Sequence, residues 1–203
     1  MSELAVDDLP TEDLNAPGAT SPAAMTVSPP GSTAAPFYVV GTRKFTVMFL
    51  LTYGGYAFYW MYKQWACYRD FPPPGACPKR PWPVPRAVFA PLYFYPLFRA
   101  VRAWATPRLD DWEWRTHAVI LAGLTIADFL IGVFSEADGT LFGAGSLIML
   151  ALPWYFYFKA QQMINVACND PAGARNATLS KANYAWIALF ILLTALIEFD
   201  HGP

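Results

Sequence analysis

Charged side chains are scarce in this chain: Asp, Glu, Lys and Arg make up 14% of its 203 residues, and the formal net charge is −1. Soluble globular domains carry about a quarter of their residues as charges, so a conventional water-facing surface is excluded for most of the length. The near-neutral balance also excludes the broad basic footprint of a nucleic-acid binder, and no nucleic acid is expected as a partner. Histidine occurs twice (His117, His201) and cysteine three times (Cys67, Cys77, Cys168). No paired Cys-x-x-Cys knuckle, His-Glu-x-x-His helix, glycine-rich phosphate loop or serine nucleophile elbow is present. The sequence therefore assigns no catalytic residue, no metal ligand and no cofactor. The first residues lack a basic stretch leading into an apolar core, so no cleavable signal peptide is expected.

What the chain has instead is apolar and aromatic mass, 55% hydrophobic and 17% aromatic. Residues 1–36 stand apart: rich in Ala, Pro and Ser, acidic, and without an apolar period, they predict a disordered tail. Residues 37–203 read as one membrane domain. Four runs, 45–62, 117–134, 141–158 and 184–199, each hold about 16 to 18 mainly apolar residues, slightly short for a hydrocarbon core of about 30 Å. Four such runs in so small a chain leave too little polar sequence to cover them as a soluble core. The expectation is an all-α integral membrane protein with four transmembrane helices.

Charge position sets the topology. In the four-span arrangement twelve Lys and Arg fall on one side, nine of them in the loop 63–116, and only Arg43 and Lys44 fall on the other. The positive-inside rule places the loop in the cytoplasm and both termini outside, with Arg43 and Lys44 counting against it. All eight tryptophans gather at or beyond the same face. Residues 86–105 carry Pro91, Pro96, Arg99 and Arg102, which break a regular apolar helix, so this segment is read as interfacial or re-entrant. Seven prolines between Phe71 and Arg86 enforce extended backbone ahead of it.

Three groups of residues are candidates for a role. Asp128 is the one carboxylate well inside a span, and it is read either as a functional acid or as a structural one bonded across a helix contact. Lys79, Arg80, Trp82, Arg86, Arg99, Arg102 and Trp104 interleave cations with aromatics and suit anionic lipid headgroups. Tyr59, Trp60, Tyr62, Lys63, Trp65, Trp154, Tyr155 and Trp186 form the expected aromatic belt at the interface. Small residues at four-residue spacing (Gly123 with Ala127, Asp128 with Gly132) predict close packing of the second span on the third across a turn at 135–140. Gly54-Gly55 allows a bend in the first.

The stretch Tyr59-Trp60-Met61-Tyr62-Lys63-Gln64-Trp65 resembles the Tyr-Trp-x-Tyr-Lys-x-Trp exit from the first span of a bacterial family of small multi-pass inner-membrane proteins of unknown function. Pro91-Leu92-Tyr93-Phe94-Tyr95-Pro96 and Gln162-Met163-Ile164-Asn165 are similar as well. The resemblance implies a bacterial inner membrane and assigns no catalytic or ligand residue. Together these readings predict a non-catalytic interaction or lipid-organising subunit, with anionic membrane lipids and a protein partner or second copy as its contacts. Two alternatives stand beside it: a small transporter or channel using Asp128, and a membrane immunity protein against a toxin.

Overall fold

The computed structural model describes residues 36–72, 80–105, 108–109, 111–134 and 144–200, with side chains described outside 144–147 and 197–200. Residues 1–35 of the expected tail at 1–36, Lys79, Cys77 and the turn at 135–140 lie outside the described residues. Among those described there is no strand. The helices are α1 (Thr42–Leu51), α2 (Tyr56–Asp70), α3 (Pro83–Val88), α4 (Ala90–Trp104), α5 (Trp114–Phe134), α6 (Ala144–Ala167) and α7 (Lys181–Asp200), with a short 3-10 turn at Ala174–Asn176. The chain is all-α, as its composition predicts. Among the described residues one helix, α5, is long and apolar enough to cross a membrane by length and composition.

The first predicted span is not one helix. The apolar run at 45–62 breaks at 52–55, where Tyr53 (φ 49°) and Gly54 (φ 82°) adopt left-handed backbone. The Gly54 N–H donates back to Phe49 O at 2.8 Å, closing α1. The Thr52 hydroxyl donates to Met48 O at 2.7 Å and accepts the Tyr56 N–H at 2.9 Å, so one side chain ends α1 and starts α2. Ten residues of α1 rise only about 15 Å, half a bilayer core. The two helices fold back as a hairpin: the Phe45 ring in α1 meets Tyr56 and Trp60 of α2 at 5.7 and 6.5 Å. Hydropathy sums apolar residues and is blind to a reversal of direction, which is why the run reads as continuous.

The hairpin moves Lys44. Four-span counting sets it opposite Lys63 and Arg175, yet its Nζ donates to Asn176 Oδ1 and Thr178 O, at the same end of the molecule as the 3-10 turn. That prediction is corrected by the reversal at 52–55.

Leading into α1, residues 37–41 run extended with no strand beside them. Buried backbone polar groups need partners, and amide side chains supply them. Gln64 accepts the Tyr38 N–H at 2.9 Å and donates to Tyr38 O at 3.1 Å. Two residues on, Asn165 accepts the Val40 N–H at 3.3 Å and donates to Val40 O at 2.9 Å. In extended chain the N–H and C=O of one residue point the same way, so a single carboxamide can pair both, as a neighbouring strand would. Gln161 joins the two clamps, donating to Tyr38 O and Asn165 Oδ1 and accepting the Trp60 indole N–H. Gln64, Gln161 and Asn165 are fully buried. The turn after α6 then closes on this segment backbone to backbone: Gly173 (φ 67°) sits where an added Cβ would lie 2.4 Å from Val40 O.

Around this polar clamp lies an aromatic core. Tyr157 of α6 meets Phe49, Trp60 and Phe94 at 5.5, 5.4 and 5.7 Å. Ring pairs of this kind add about 0.5–1.5 kcal/mol each beyond area burial. Pro91 and Pro96 do not break α4. Pro91 occupies the first turn, where its missing N–H would lack a partner anyway, and Pro96 is carried within a continuous helix. The α4 face bearing Phe94, Leu97, Phe98 and Val101 is buried, while Leu92, Tyr95 and Arg99 face outward.

The remaining helices are different in kind. Of α5, only Ala118 and Leu121 are buried, and within its most apolar stretch 11% of residues are buried. Along α7 up to Leu196, Asn183 and Ile187 are buried and the rest faces outward or half so. Gly123 and Gly132 have nothing within 4 Å of an added Cβ, so the small-residue spacing on α5 does not serve close packing among the described residues.

Candidate binding cleft

At the clamped end a cleft of about 570 Å³ opens between the extended segment, α1, α2, the 3-10 turn and the start of α7. Three cations line it, Lys44, Lys63 and Arg175, and no acid does. Lys44 is 5% exposed. Its ammonium has three donors, and the acceptors it meets, Asn176 Oδ1 at 2.6 Å and Thr178 O at 2.9 Å, are neutral. Burial pulls its pKa below the ordinary lysine value. Lys63 lies over the Tyr38 ring, its Nζ 5.4 Å from the centroid, and Tyr38 packs edge-on against Tyr59.

Arg175 is positioned by Asp170. That carboxylate accepts the backbone N–H of Ala174 at 2.9 Å and of Arg175 at 3.0 Å, which fixes the turn. Burial works against its charge, but those N–H donors and the Arg175 guanidinium outweigh it and hold the carboxyl below the usual aspartate range. The guanidinium Nε is 3.9 Å from Asp170 Oδ2, and the Arg175 side chain is left substantially exposed toward the opening. Ser180 caps α7: its backbone N–H and hydroxyl both donate to Asn183 Oδ1, and its Oγ accepts the Asn183 N–H. Aromatic wall is supplied by Phe37, Tyr59, Phe71 and Trp186.

This set can bind an anion. Cys67 lines the cleft, but burial raises its pKa, and Cys168, donating weakly to Phe37 O, is pushed up to about 12 by burial. Both thiols stay protonated and poorly nucleophilic near neutral pH. His117 is committed elsewhere. The Trp112 indole N–H donates to its Nδ1 at 3.2 Å and Phe156 O lies 2.8 Å from its Nε2. An indole only donates and a carbonyl only accepts, so these partners fix the neutral Nε2–H tautomer and occupy both nitrogens. Among the described residues no group of three His, Cys, Asp or Glu could hold a metal ion.

The predicted candidates are scattered by comparison. Trp60 and Trp65 of the expected belt are buried in the core, while Tyr59, Tyr62, Tyr155 and Trp186 are exposed; Trp154 is half-buried and donates to Thr46 Oγ1. Of that set, Tyr59, Lys63 and Trp186 line the cleft. Of the expected headgroup contacts, Arg86 is stacked over Trp65 at 4.1 Å and Tyr93 at 5.0 Å. Arg80, Trp82 and Arg99 are exposed, Arg102 and Trp104 are half-buried, and none of these lines the cleft. Asp128 is exposed on α5 with no hydrogen-bond or ionic partner among the described residues. Lys44, Arg175 and the amides of Gln64, Gln161 and Asn165 escape a reading by residue class. The one legible signal was Gln161 and Asn165, four residues apart on one face of an otherwise apolar helix.

No protein family matches the chain, and no curated protein or solved structure is similar to it.

Proposed function

We propose that this chain is a non-catalytic, multi-pass protein of a bacterial inner membrane that organises anionic lipid at its cytoplasmic face. In this reading α5, α6 and α7 cross the bilayer, the α1–α2 hairpin enters from the cytoplasmic side and returns, and α3–α4 lie near that side. The observation that carries it is α5: 21 residues, mainly apolar from Ala118 onward, with only 11% of its most apolar stretch buried. A soluble core helix would be mostly covered, and apolar surface left open on this scale marks a membrane or partner contact. The exposed flank of α7, with Leu189, Leu193 and Leu196, supports the same surroundings. Reversal at 52–55 brings Arg43 and Lys44 to the side of the other bases, so every Lys and Arg then falls on one face, as the positive-inside rule favours. The resemblance of the Tyr59–Trp65 exit motif to small inner-membrane proteins agrees with this placement.

Compartment reporters test it. Fusions at the N-terminus, after Pro85 and after Ala174 should report the cytoplasm, and fusions after Ala137 and Pro203 the opposite side. An N-terminus opposite to Pro85 would rule out the hairpin topology. Pro85 and Ala137 in one compartment would rule out a spanning α5 and the membrane reading with it. A transporter using Asp128 has less support, because that residue stands on an exposed helix face and does not line the cleft; a path along it would need more than one copy.

A further inference from the structure

We propose that the cleft seats the phosphate of an anionic glycerophospholipid, with Lys44, Lys63 and Arg175 as its ligands and the acyl chains lying along α7. This rests on the membrane reading above and adds the site, the ligand class and the residues. The cleft volume, about 570 Å³, lies within the range of small-molecule sites. Three cations converge on it without an acid among its lining residues. Lys44 is the strongest sign: the residue is buried, and among the described residues its ammonium meets two neutral oxygens and no acid, a cost that an anion completing its shell would offset. Arg175 adds a planar fork suited to phosphate oxygens, and Asp170 anchors the turn that presents it.

A free phosphate compound would satisfy the same cations. What favours a lipid is the surface leading away from them. Trp186 lines the cleft, and Leu189, Leu193 and Leu196 follow it at spacings of three, four and three, all exposed. That spacing puts them on one face of α7, so a charged cleft continues directly into an apolar track. This is the layout of an amphiphile, headgroup above and chains below.

The test uses full-length protein in neutral detergent, titrated with phosphatidylglycerol, phosphatidylcholine and glycerol 3-phosphate, and read by native mass spectrometry and tryptophan fluorescence. Phosphatidylglycerol should bind at least tenfold more tightly than phosphatidylcholine. Lys63→Gln and Arg175→Gln should each weaken it about tenfold, the scale of one charged hydrogen bond, while Arg69→Gln and Arg115→Gln, outside the cleft, should not. Far-ultraviolet circular dichroism checks that the variants fold. If phosphatidylglycerol is preferred but Lys63→Gln and Arg175→Gln bind it unchanged, the cleft is not the site and the lipid-organising reading survives. If the wild-type chain shows no preference for anionic lipid, that reading fails together with the proposal. If glycerol 3-phosphate binds as tightly as the lipid and competes it off, the ligand is a soluble phosphate compound and the lipid assignment is overturned.

Discussion

Two regions of this molecule are built on opposite principles. Around residues 37–41 the chain is held on several sides: amide clamps from α2 and α6, an aromatic cluster beneath, and a glycine turn pressed backbone to backbone. Along α5 beyond Leu121 and along α7 beyond Ile187 most side chains face outward. The first region supplies its own surroundings of dipoles and rings; the second leaves its apolar side chains open. A substitution should therefore be read out by folding in the first region and by the surroundings in the second.

Glycine gives the sharpest contrast. Gly173 is left-handed, and a methyl there would meet Val40 O, Val40 C and Gly41 N at 2.4, 2.5 and 2.6 Å. Backbone atoms on both sides cannot yield as a flexible side chain would. Gly173→Ala combines left-handed strain with overpacking and should cost about 3–5 kcal/mol. Gly123→Ala on α5, with open space around it, should be neutral or gain up to about 1 kcal/mol of helix propensity. Thermal unfolding in detergent measures both, and equal effects at the two sites would dissolve the distinction between the regions.

Next in size is Asn165→Leu. The substitution keeps the branching of the side chain but strands the Val40 N–H and C=O and one Gln161 donor in the core. Unsatisfied buried groups of this kind cost about 1–3 kcal/mol each, so a loss of about 2–4 kcal/mol is expected. Asn165→Asp, which retains an acceptor and loses the donor, should fare no better near neutral pH, because a buried charge is added. The mirror experiment on α5 is Ile126→Lys. Ile126 is exposed, so unfolding of the detergent-solubilised protein should shift by less than about 0.5 kcal/mol. Insertion into a bilayer, read by a glycosylation or reporter assay, should lose about 2.5–3.5 kcal/mol. Were α5 to stand in water, neither measurement would move.

The exposed region was legible in the sequence and the clamped one was not. Hydropathy needs only local composition, so α5 and α7 emerge within a few residues of the apolar runs that predict them, as does the all-helical class, while α6 continues nine residues past its run. Even the break at 52–55 has a local signal in Gly54-Gly55, although a bend and a full reversal look alike in one dimension. The clamp depends on pairs such as Val40 with Asn165 and Lys44 with Asn176, separated by more than 120 residues. No periodicity reports such a pairing, and a glutamine amid aromatics reads as an interfacial residue until its partner is known. Trp60 shows the same ambiguity: the side chain that suits a membrane belt also suits a buried core when an acceptor such as Gln161 waits for its N–H.

The smallest loss expected in the clamped region concerns Asp170, which ties the turn to the clamp and so lies where folding should report. Its carboxyl is depressed in the folded chain from the ordinary 3.8. Protons therefore bind the unfolded state more tightly, and stability must rise with pH wherever the two states differ in occupancy. The contribution is complete above the unfolded value and is lost as pH falls through the folded one. Asp170→Asn keeps a side-chain acceptor for the Ala174 N–H but removes the charge facing Arg175, so it should cost about 1 kcal/mol at neutral pH. The wild-type advantage should shrink below about pH 4 and vanish under strong acid. A difference between wild type and variant that stayed flat from pH 7 to pH 2.5 would mean that packing, and not the charge on the turn, holds Gly173 against Val40.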